Sequence, residues 1–405
     1  MKKKVVIYLV RSSFNERYFD RFGINIWINR GWRVKVYDIT KFLNNKFWHY
    51  INKDKATFDF KNLKIFENID EILREIKQLD SPVVFIDLLN FSSSEMKIRK
   101  IAKTKGILVK LKMHPLPQYI KKKNIYRVLS LLSRPNTFFK KLVNFIKEKV
   151  ESHRAKSLHP DFFVVGGRLS IPNNINKKKT SIIFSHNYDY DTFISEKDKY
   201  LNNVENSMVF LDEYCPYHPD YFRENIKPYV TANDYFSTID YGLEQIAKTL
   251  KLEIKIAAHP SSDYKSKKFK YKNQIIENKT FKLIKESKIV VAHSSTSLQW
   301  AILMKKPIIF VTTNEIENRK YENSYAESIN LFAKTLGKEV INLSNIHTYD
   351  NLDKYLFINN QRYEKFIENY VKISSSPNKL MWENIIDIIE NSKKYFNNFN
   401  KSKKT

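Results

Sequence analysis

Three polar clusters in this chain each break off an apolar run: Asp212-Glu213, His259-Pro260 and His293-Ser294-Ser295-Thr296-Ser297. Each offers a distinct piece of chemistry. Of two adjacent carboxylates facing a cleft, one can act as a general base whose pKa the other tunes. An imidazole before a proline sits on a fixed turn, where it can donate to a phosphate oxygen or protonate a leaving group. A row of hydroxyls before a helix, with the free amides beside them, makes an anion site. Each also has a plainer reading: acids at a strand tip that are merely solvated, a histidine that ends a strand, and serines that cap the helix predicted after Ser297.

His-Pro recurs four times, at His114-Pro115, His159-Pro160, His218-Pro219 and His259-Pro260. With nine His and twelve Pro in the chain, chance supplies roughly 0.3 such pairs. Of the four, His259 is the one expected to function, since it follows the strand-like run Ile254–Ala258 just ahead of the hydroxyl cluster; His114 and His159 read as strand ends. Arg11, Ser12, His186 and His218 are further candidates for lining a cleft. Asp189-Tyr190-Asp191 matches the Asp-x-Asp of metal-dependent sugar transferases, but about one such triplet is expected by chance in a chain with this many acids. No other metal cluster is visible, so neither a metal nor a cofactor is expected. No GxGxxG, GxxxxGK[ST] or serine nucleophile elbow occurs, and the chain has only seven glycines, which argues against a dinucleotide enzyme or a P-loop ATPase.

The elements that must carry these groups alternate. Val5–Val10, Arg33–Tyr37, Val83–Asp87, Ile107–Met113 and Phe162–Gly167 read as strands of a first half, with helices predicted over Glu16–Asn29, Ile69–Gln78 and Ser94–Lys105. Ser181–Phe184 and Met208–Leu211 are expected to open a second half, followed by strands at Glu253–Ala258, Lys288–Ala292 and Ile308–Val311. Short β-branched runs separated by helical segments are the mark of buried parallel strands. The expected fold is therefore α/β, two Rossmann-like halves across a cleft: residues 1–178, residues 179–358, and closing helices over 359–405 that pack back, around Trp382. In such sheets ligands bind beyond the carboxyl ends of the strands, where the three clusters lie.

At 405 residues and 42% hydrophobic, the chain can fill two cores. The single Cys215 admits no internal disulfide and points to a reducing compartment. No apolar run is long enough to span a bilayer, and a secretory signal is not recognisable, so a cytoplasmic location is expected. The formal net charge of +28 implies attraction to something anionic. Nucleic acid is not expected, because no zinc-finger, RNA-binding or basic-zipper signature is present. The segment from Tyr119 to Lys156 is basic and amphipathic, with Pro135 dividing it; it reads as a helix pair packed on its sheet or as peripheral contact with the anionic inner membrane surface.

Taken together, the His-Pro, the Ser-Ser/Thr turn, the acidic pair upstream and the tail from Ala301 to Phe310 (A-x-L-x-x-K-P-I-I-F) resemble bacterial GT-B glycosyltransferases. In motif style they are similar to the sialyltransferases and Kdo transferases of capsule, O-antigen and lipooligosaccharide synthesis. The resemblance covers mainly Met208–Thr313. It implies a nucleotide-sugar donor, with CMP-activated sialic, nonulosonic or Kdo-like acid foremost, a glycan or lipid-linked glycan acceptor, and no metal. It implies that Asp212 or Glu213 is the base, that His259 assists the leaving group, and that Ser294 and Ser295 hold the donor phosphate, with Pro260, His293, Thr296 and Ser297 around them. The sialyltransferase motif reads acid-acid-Gly, whereas Tyr214 stands in the third place here. Two alternatives remain: a CDP-polyol phosphotransferase of teichoic-acid type, whose tail is similar, and a non-catalytic basic scaffold at the membrane surface.

Overall fold

In the computed structural model, described for residues 4–53, 58–80, 82–90, 92–111, 113, 116–117, 158–172, 175–199, 204–224, 226–318, 325–349 and 351–395, two all-parallel sheets stand side by side. The first is built from β1 (Val5–Val10), β2 (Arg33–Asp38), β3 (Leu63–Ile65), β4 (Val83–Asp87), β5 (Gly106–Leu111), β6 (Phe162–Val165) and β7 (Ser181–Phe184), in the order β3-β2-β1-β4-β5-β6-β7. The second contains β8 (Glu205–Leu211), β9 (Glu253–Ala257), β10 (Ile275–Ile276), β11 (Ser287–Ala292), β12 (Ile308–Thr312) and β13 (Val340–Asn342), in the order β10-β9-β8-β11-β12-β13. Both orders run outward in one direction and then reverse, at β1/β4 in the first sheet and at β8/β11 in the second. This is doubly wound topology, and its reversal points are where crevices open above the sheet.

The central strands are largely apolar because helices cover both faces. β4 (VVFID) and β12 (IIFVT) are buried at every position, as expected for strands with no solvent face. Three hydrophobic clusters result. One holds the second sheet with Tyr235, Phe332 and Phe366; the other two pack the opposite faces of the first sheet.

Ser181–Phe184 differs from the expectation that it opens the second half. It pairs with β6, Phe162 opposite Ser181, as the seventh strand of the first sheet, so the division falls after Phe184 instead of at 178/179. Residues 175–179 therefore belong to the connection between β6 and β7 within that sheet. Apolar pattern identifies a strand, but nothing in it says which sheet the strand joins.

The end of the chain ties the halves together. Helix Asn360–Phe366 packs Tyr363 and Phe366 into the second core, whereas helix Met381–Glu390 packs Met381, Trp382, Ile385, Ile386 and Ile389 into the first. Two doubly wound domains and a terminal helix that returns to the first make the GT-B fold. Trp382 is the keystone of that return. It is 1% exposed, its indole Nε1 donates to the Arg21 carbonyl at 2.9 Å, and its ring meets Tyr8 edge-on. Gly23 is needed beneath it, because its φ is +57° and a Cβ there would lie 2.4 Å from Trp382. The predicted helix Glu16–Asn29 is accordingly two helices, Glu16–Arg21 and Ile24–Asn29, broken at this left-handed glycine. The basic segment Tyr119–Lys156 and the His114-Pro115 pair lie outside the described residues. Among the described residues no helix is long and apolar enough to cross a membrane.

Candidate active site

The reversal point of the second sheet brings three strand ends together: Leu211 leads into Asp212-Glu213, Ala257 into Ala258-His259, and Ala292 into His293-Ser294. Above them is a cleft of about 280 Å³ lined by Asp212, Glu213, His218, His259, Pro260, Ser294, Ser295, Thr296, Ser297 and Trp300 from the second half, and by Arg17 and Arg21 from the first. The clusters that are far apart in sequence thus share one cavity.

The two adjacent carboxylates have different surroundings. Asp212 is 4% exposed, and both of its oxygens are committed. Oδ1 accepts from the Tyr214 amide at 2.8 Å and the Tyr271 hydroxyl at 2.9 Å; Oδ2 accepts from the Tyr264 hydroxyl at 2.8 Å and the His259 amide at 3.3 Å. Burial raises its pKa and these donors resist the rise. A carboxylate holding four donors positions the His259 turn and is poorly placed to accept a substrate proton. Among the described residues Glu213 accepts two bonds, from the Ser294 amide at 2.6 Å and the Tyr325 hydroxyl at 2.7 Å. Burial pushes its pKa up to about 7, against the pull of those two donors. A carboxyl poised near neutrality in a cleft has the character of a general acid–base group.

The backbone explains how one acid turns inward and the next toward the cleft. Tyr214 has φ +53°, a left-handed conformation that a residue other than glycine adopts at a cost of roughly 1 kcal/mol. The turn is held by the Tyr214 amide on Asp212 and by the Tyr214 ring, 3% exposed and edge-on to Tyr264.

His259 accepts a bond at Nδ1 from the Ser261 amide at 3.1 Å, which leaves the proton of the neutral ring on Nε2. Burial, then His218 and Arg17, depress its pKa to about 4, so at neutral pH the ring is an uncharged donor. In the hydroxyl turn, the Ser294 amide goes to Glu213, the Ser297 amide to Ser295 Oγ at 3.3 Å and the Leu298 amide to the Ser295 carbonyl at 3.2 Å. The amides of Ser295 and Thr296 and the hydroxyls of Ser294, Thr296 and Ser297 make no hydrogen bond among the described residues. Ser297, the residue before helix Leu298–Leu303, makes no side-chain cap bond, so capping does not account for the cluster.

Several expected groups are elsewhere. His293 is wholly buried: Nδ1 donates to the Val311 carbonyl at 2.7 Å, and Nε2 accepts from the Tyr235 hydroxyl at 2.9 Å. Burial lowers its pKa to about 4, so it is a core residue of the second sheet and no phosphate ligand. His186 is likewise buried, with its ring nitrogens on the Asn187 and Lys379 carbonyls at 3.0 and 2.9 Å. Arg11 lies 3.4 Å from the buried Glu95, and neither it nor Ser12 lines the cleft. His159 precedes β6, at the opposite edge of the sheet from the strand tips. Of Asp189-Tyr190-Asp191, Asp189 does line the cleft, 3.5 Å from Arg21, whereas Asp191 is turned away and accepts from the Met381 amide at 2.8 Å. Among the described residues no three His, Cys, Asp or Glu side chains are grouped to hold a metal ion.

Sequence reasoning missed Arg17 and Arg21, which line the cleft together with Asp189. Arg17 makes no ion pair among the described residues, while Arg21 also stacks over Tyr188, 4.5 Å from the ring centre. Their helix is set by Asn15, whose side chain accepts from the Tyr18 amide at 3.1 Å, and by Asp38 at the end of β2, which accepts from the Phe14 amide at 3.0 Å. An N-cap Asn before an arginine-bearing helix was the available signal. A second link between halves is the ring of Tyr50, from helix Asn45–Asn52, stacked on Phe222 of helix Asp220–Glu224 with centroids 4.5 Å apart.

Two doubly wound domains with a cleft at the reversal point of the second sheet give the molecule the GT-B fold. Solved structures similar to this chain include MurG of Acinetobacter baumannii (9% identity, covering 96% of this chain and 100% of that one, TM-score 0.49) and an S. aureus MnaA–UDP complex (13%, 96% and 96%, 0.48). A variant of the wall teichoic acid polymerase TagF is similar at 13% identity, 96% and 88% coverage and TM-score 0.49. With no score reaching 0.5, these likenesses add nothing to what the topology itself says. No family model and no curated protein matches the chain.

Proposed function

We propose that the protein transfers a sugar from a nucleotide-activated donor, a CMP-linked sialic, nonulosonic or Kdo-like acid, to a glycan or lipid-linked glycan acceptor in surface-polysaccharide synthesis. The supporting observation is the meeting, in one cleft, of a near-neutral carboxyl (Glu213), an uncharged imidazole donor (His259) and a turn with free amides and hydroxyls (Ser294–Ser297).

Chemically, the roles divide as follows. Glu213, deprotonated, takes the proton of the acceptor hydroxyl as it attacks the anomeric carbon. The bond from that carbon to the donor phosphate breaks, and the nucleotide departs with both electrons. The amides of Ser295 and Thr296, the neighbouring hydroxyls and the His259 Nε2–H stabilise the negative charge that gathers on the departing phosphate. Asp212 keeps the His259 turn in place, and Arg17 and Arg21 add positive potential from the other domain. Charge stabilisation by these donors is a reading that requires no metal. With a net charge of +28, contact with an anionic membrane surface, where a lipid-linked acceptor resides, follows from the same reading.

A thermal-shift panel of CMP, CDP-glycerol, UDP and GDP tests it. Stabilisation by CMP above the others supports the sugar transferase, and stabilisation by CDP-glycerol alone supports the polyol-phosphate alternative, which the same anion turn would serve. No shift with any nucleotide, together with tight binding to anionic liposomes, would leave the non-catalytic scaffold.

A further inference from the structure

His218 stands beside His259 with ring centroids 4.9 Å apart and planes at 60°. The two belong to His-Pro pairs, and their local geometry is the same. In each, the amide two residues on donates to the ring's Nδ1: Ser261 to His259 at 3.1 Å, and Asp220 to His218 at 3.2 Å. Proline explains the repetition. It has no amide of its own, and its fixed φ folds the next amide back onto the imidazole. An Nδ1 that accepts a backbone amide must be unprotonated, so each neutral ring carries its proton on Nε2. Neither Nε2 has a hydrogen-bond partner among the described residues, and both rings line the cleft.

Turn formation accounts for Nδ1 of His218 and says nothing about its second nitrogen. We infer that His218 and His259 act as a pair, donating their Nε2 protons to oxygens of one phosphate group bound at the Ser295–Thr296 turn. Burial lowers both imidazole pKa values, which keeps the rings uncharged as donors. The polypeptide around His218 is also tied to the first domain, because Phe222, four residues on, stacks on Tyr50. The second imidazole is thus carried on the segment that the first domain touches. The inference rests on the nucleotide reading of the cleft and deepens it, by assigning the phosphate two imidazole donors.

The test is calorimetric titration of the full-length protein with CMP and, separately, with inorganic phosphate. His218→Asn retains an acceptor for the Asp220 amide and loses the distal donor, whereas His218→Gln places an amide N–H near the position of Nε2. Both ligands should bind about tenfold more weakly to His218→Asn, with His218→Gln recovering part of the loss. The His218→Asn/His259→Asn double variant should lose less than the product of the single losses. His159→Ala should bind like wild type. CMP binding to His218→Asn within twofold of wild type would overturn the pairing and leave the nucleotide reading intact. Wild-type binding of phosphate but not CMP, with the same loss in His218→Asn, would keep the pairing and remove the proposed donor class. A loss that His218→Asn escapes but His218→Gln does not would assign the residue to the turn alone and overturn the inference.

Discussion

Replacing Glu213 by Gln separates the base from everything that surrounds it. The amide oxygen can still accept from the Ser294 amide, and the Tyr325 hydroxyl can turn to face the new N–H₂, so the turn is kept. What disappears is the proton acceptor, and loss of a general base lowers kcat/KM by about 10²- to 10⁴-fold. Wild-type activity should rise with pH through a midpoint near 7, the value to which burial pushes this carboxyl, because only the deprotonated form can accept a proton. His259, depressed to about 4, contributes no limb there, and the near-neutral limb should vanish in Glu213→Gln. Tyr325→Phe supplies a graded perturbation. It removes a donor that stabilises the carboxylate at 2.7 Å, and a hydrogen bond to a charged group is worth roughly 1.5–3 kcal/mol. At 1.36 kcal/mol per unit, the limb should move up by about one to two pH units. Stability gives a second reading with a definite sign. A carboxyl whose folded pKa exceeds its unfolded one costs nothing below about 4.5 and its full penalty above about 7. Glu213→Gln should therefore match wild type in melting temperature at pH 4 and exceed it at pH 8. CMP release from a CMP-activated acidic sugar, measured over pH 5.5–9, is the assay. A wild-type profile flat between 6 and 8, or a Glu213→Gln rate within threefold of wild type, would refute the assignment.

Other outcomes follow from the same geometry. Asp212→Asn puts an N–H₂ where at least one of four donors now points, and urea denaturation should show a loss on the order of 2–3 kcal/mol; an unchanged midpoint would contradict the four-donor account. Gly23→Ala combines a left-handed φ with a Cβ 2.4 Å from Trp382, and should cost roughly 2–4 kcal/mol in the same measurement. The fully buried His293 is held neutral, with a pKa of about 4. Its contribution to stability is intact above pH 6.5 and is lost as the pH falls from there through 4, a span worth on the order of 3 kcal/mol. His293→Gln should flatten that acid limb. Ser294→Ala with Thr296→Ala removes two hydroxyls that hold nothing among the described residues, and should weaken CMP binding severalfold by calorimetry without shifting the melting temperature of the free protein.

Much of this site was legible in the chain because strand ends announce themselves. Glu213, His259 and Ser294–Ser297 each follow a β-branched apolar run that stops at a polar residue, and parallel strands put all such stops on one edge of the sheet. What could not be read was the third dimension of each stop. His293 and Ser294 are neighbours, yet the alternation of side chains at the strand end sends one into the core and the other to the cleft. Asp212 and Glu213 divide in the same way, and the groups that decide it, Tyr264, Tyr271 and Tyr325, lie 52 to 112 residues downstream without local pattern. Arg17 and Arg21 sit in another domain, on a short helix whose N-cap Asn15 marks its start but not what it faces. The two-sheet architecture was visible as strand–helix alternation, but β3, β10 and β13 have only three, two and three residues, too few for a period to register. β7 was recognisable as a strand, but its place in the first sheet depends on pairing with β6, which no single segment encodes.

A structure of the protein crystallised with CMP would decide where the nucleotide phosphate sits. The proposed function places it within hydrogen-bond distance of the Ser295 and Thr296 amides and of His259 Nε2. A phosphate bound anywhere else, or a cleft that stays empty at saturating CMP, would contradict that placement and end the proposed role of the hydroxyl turn.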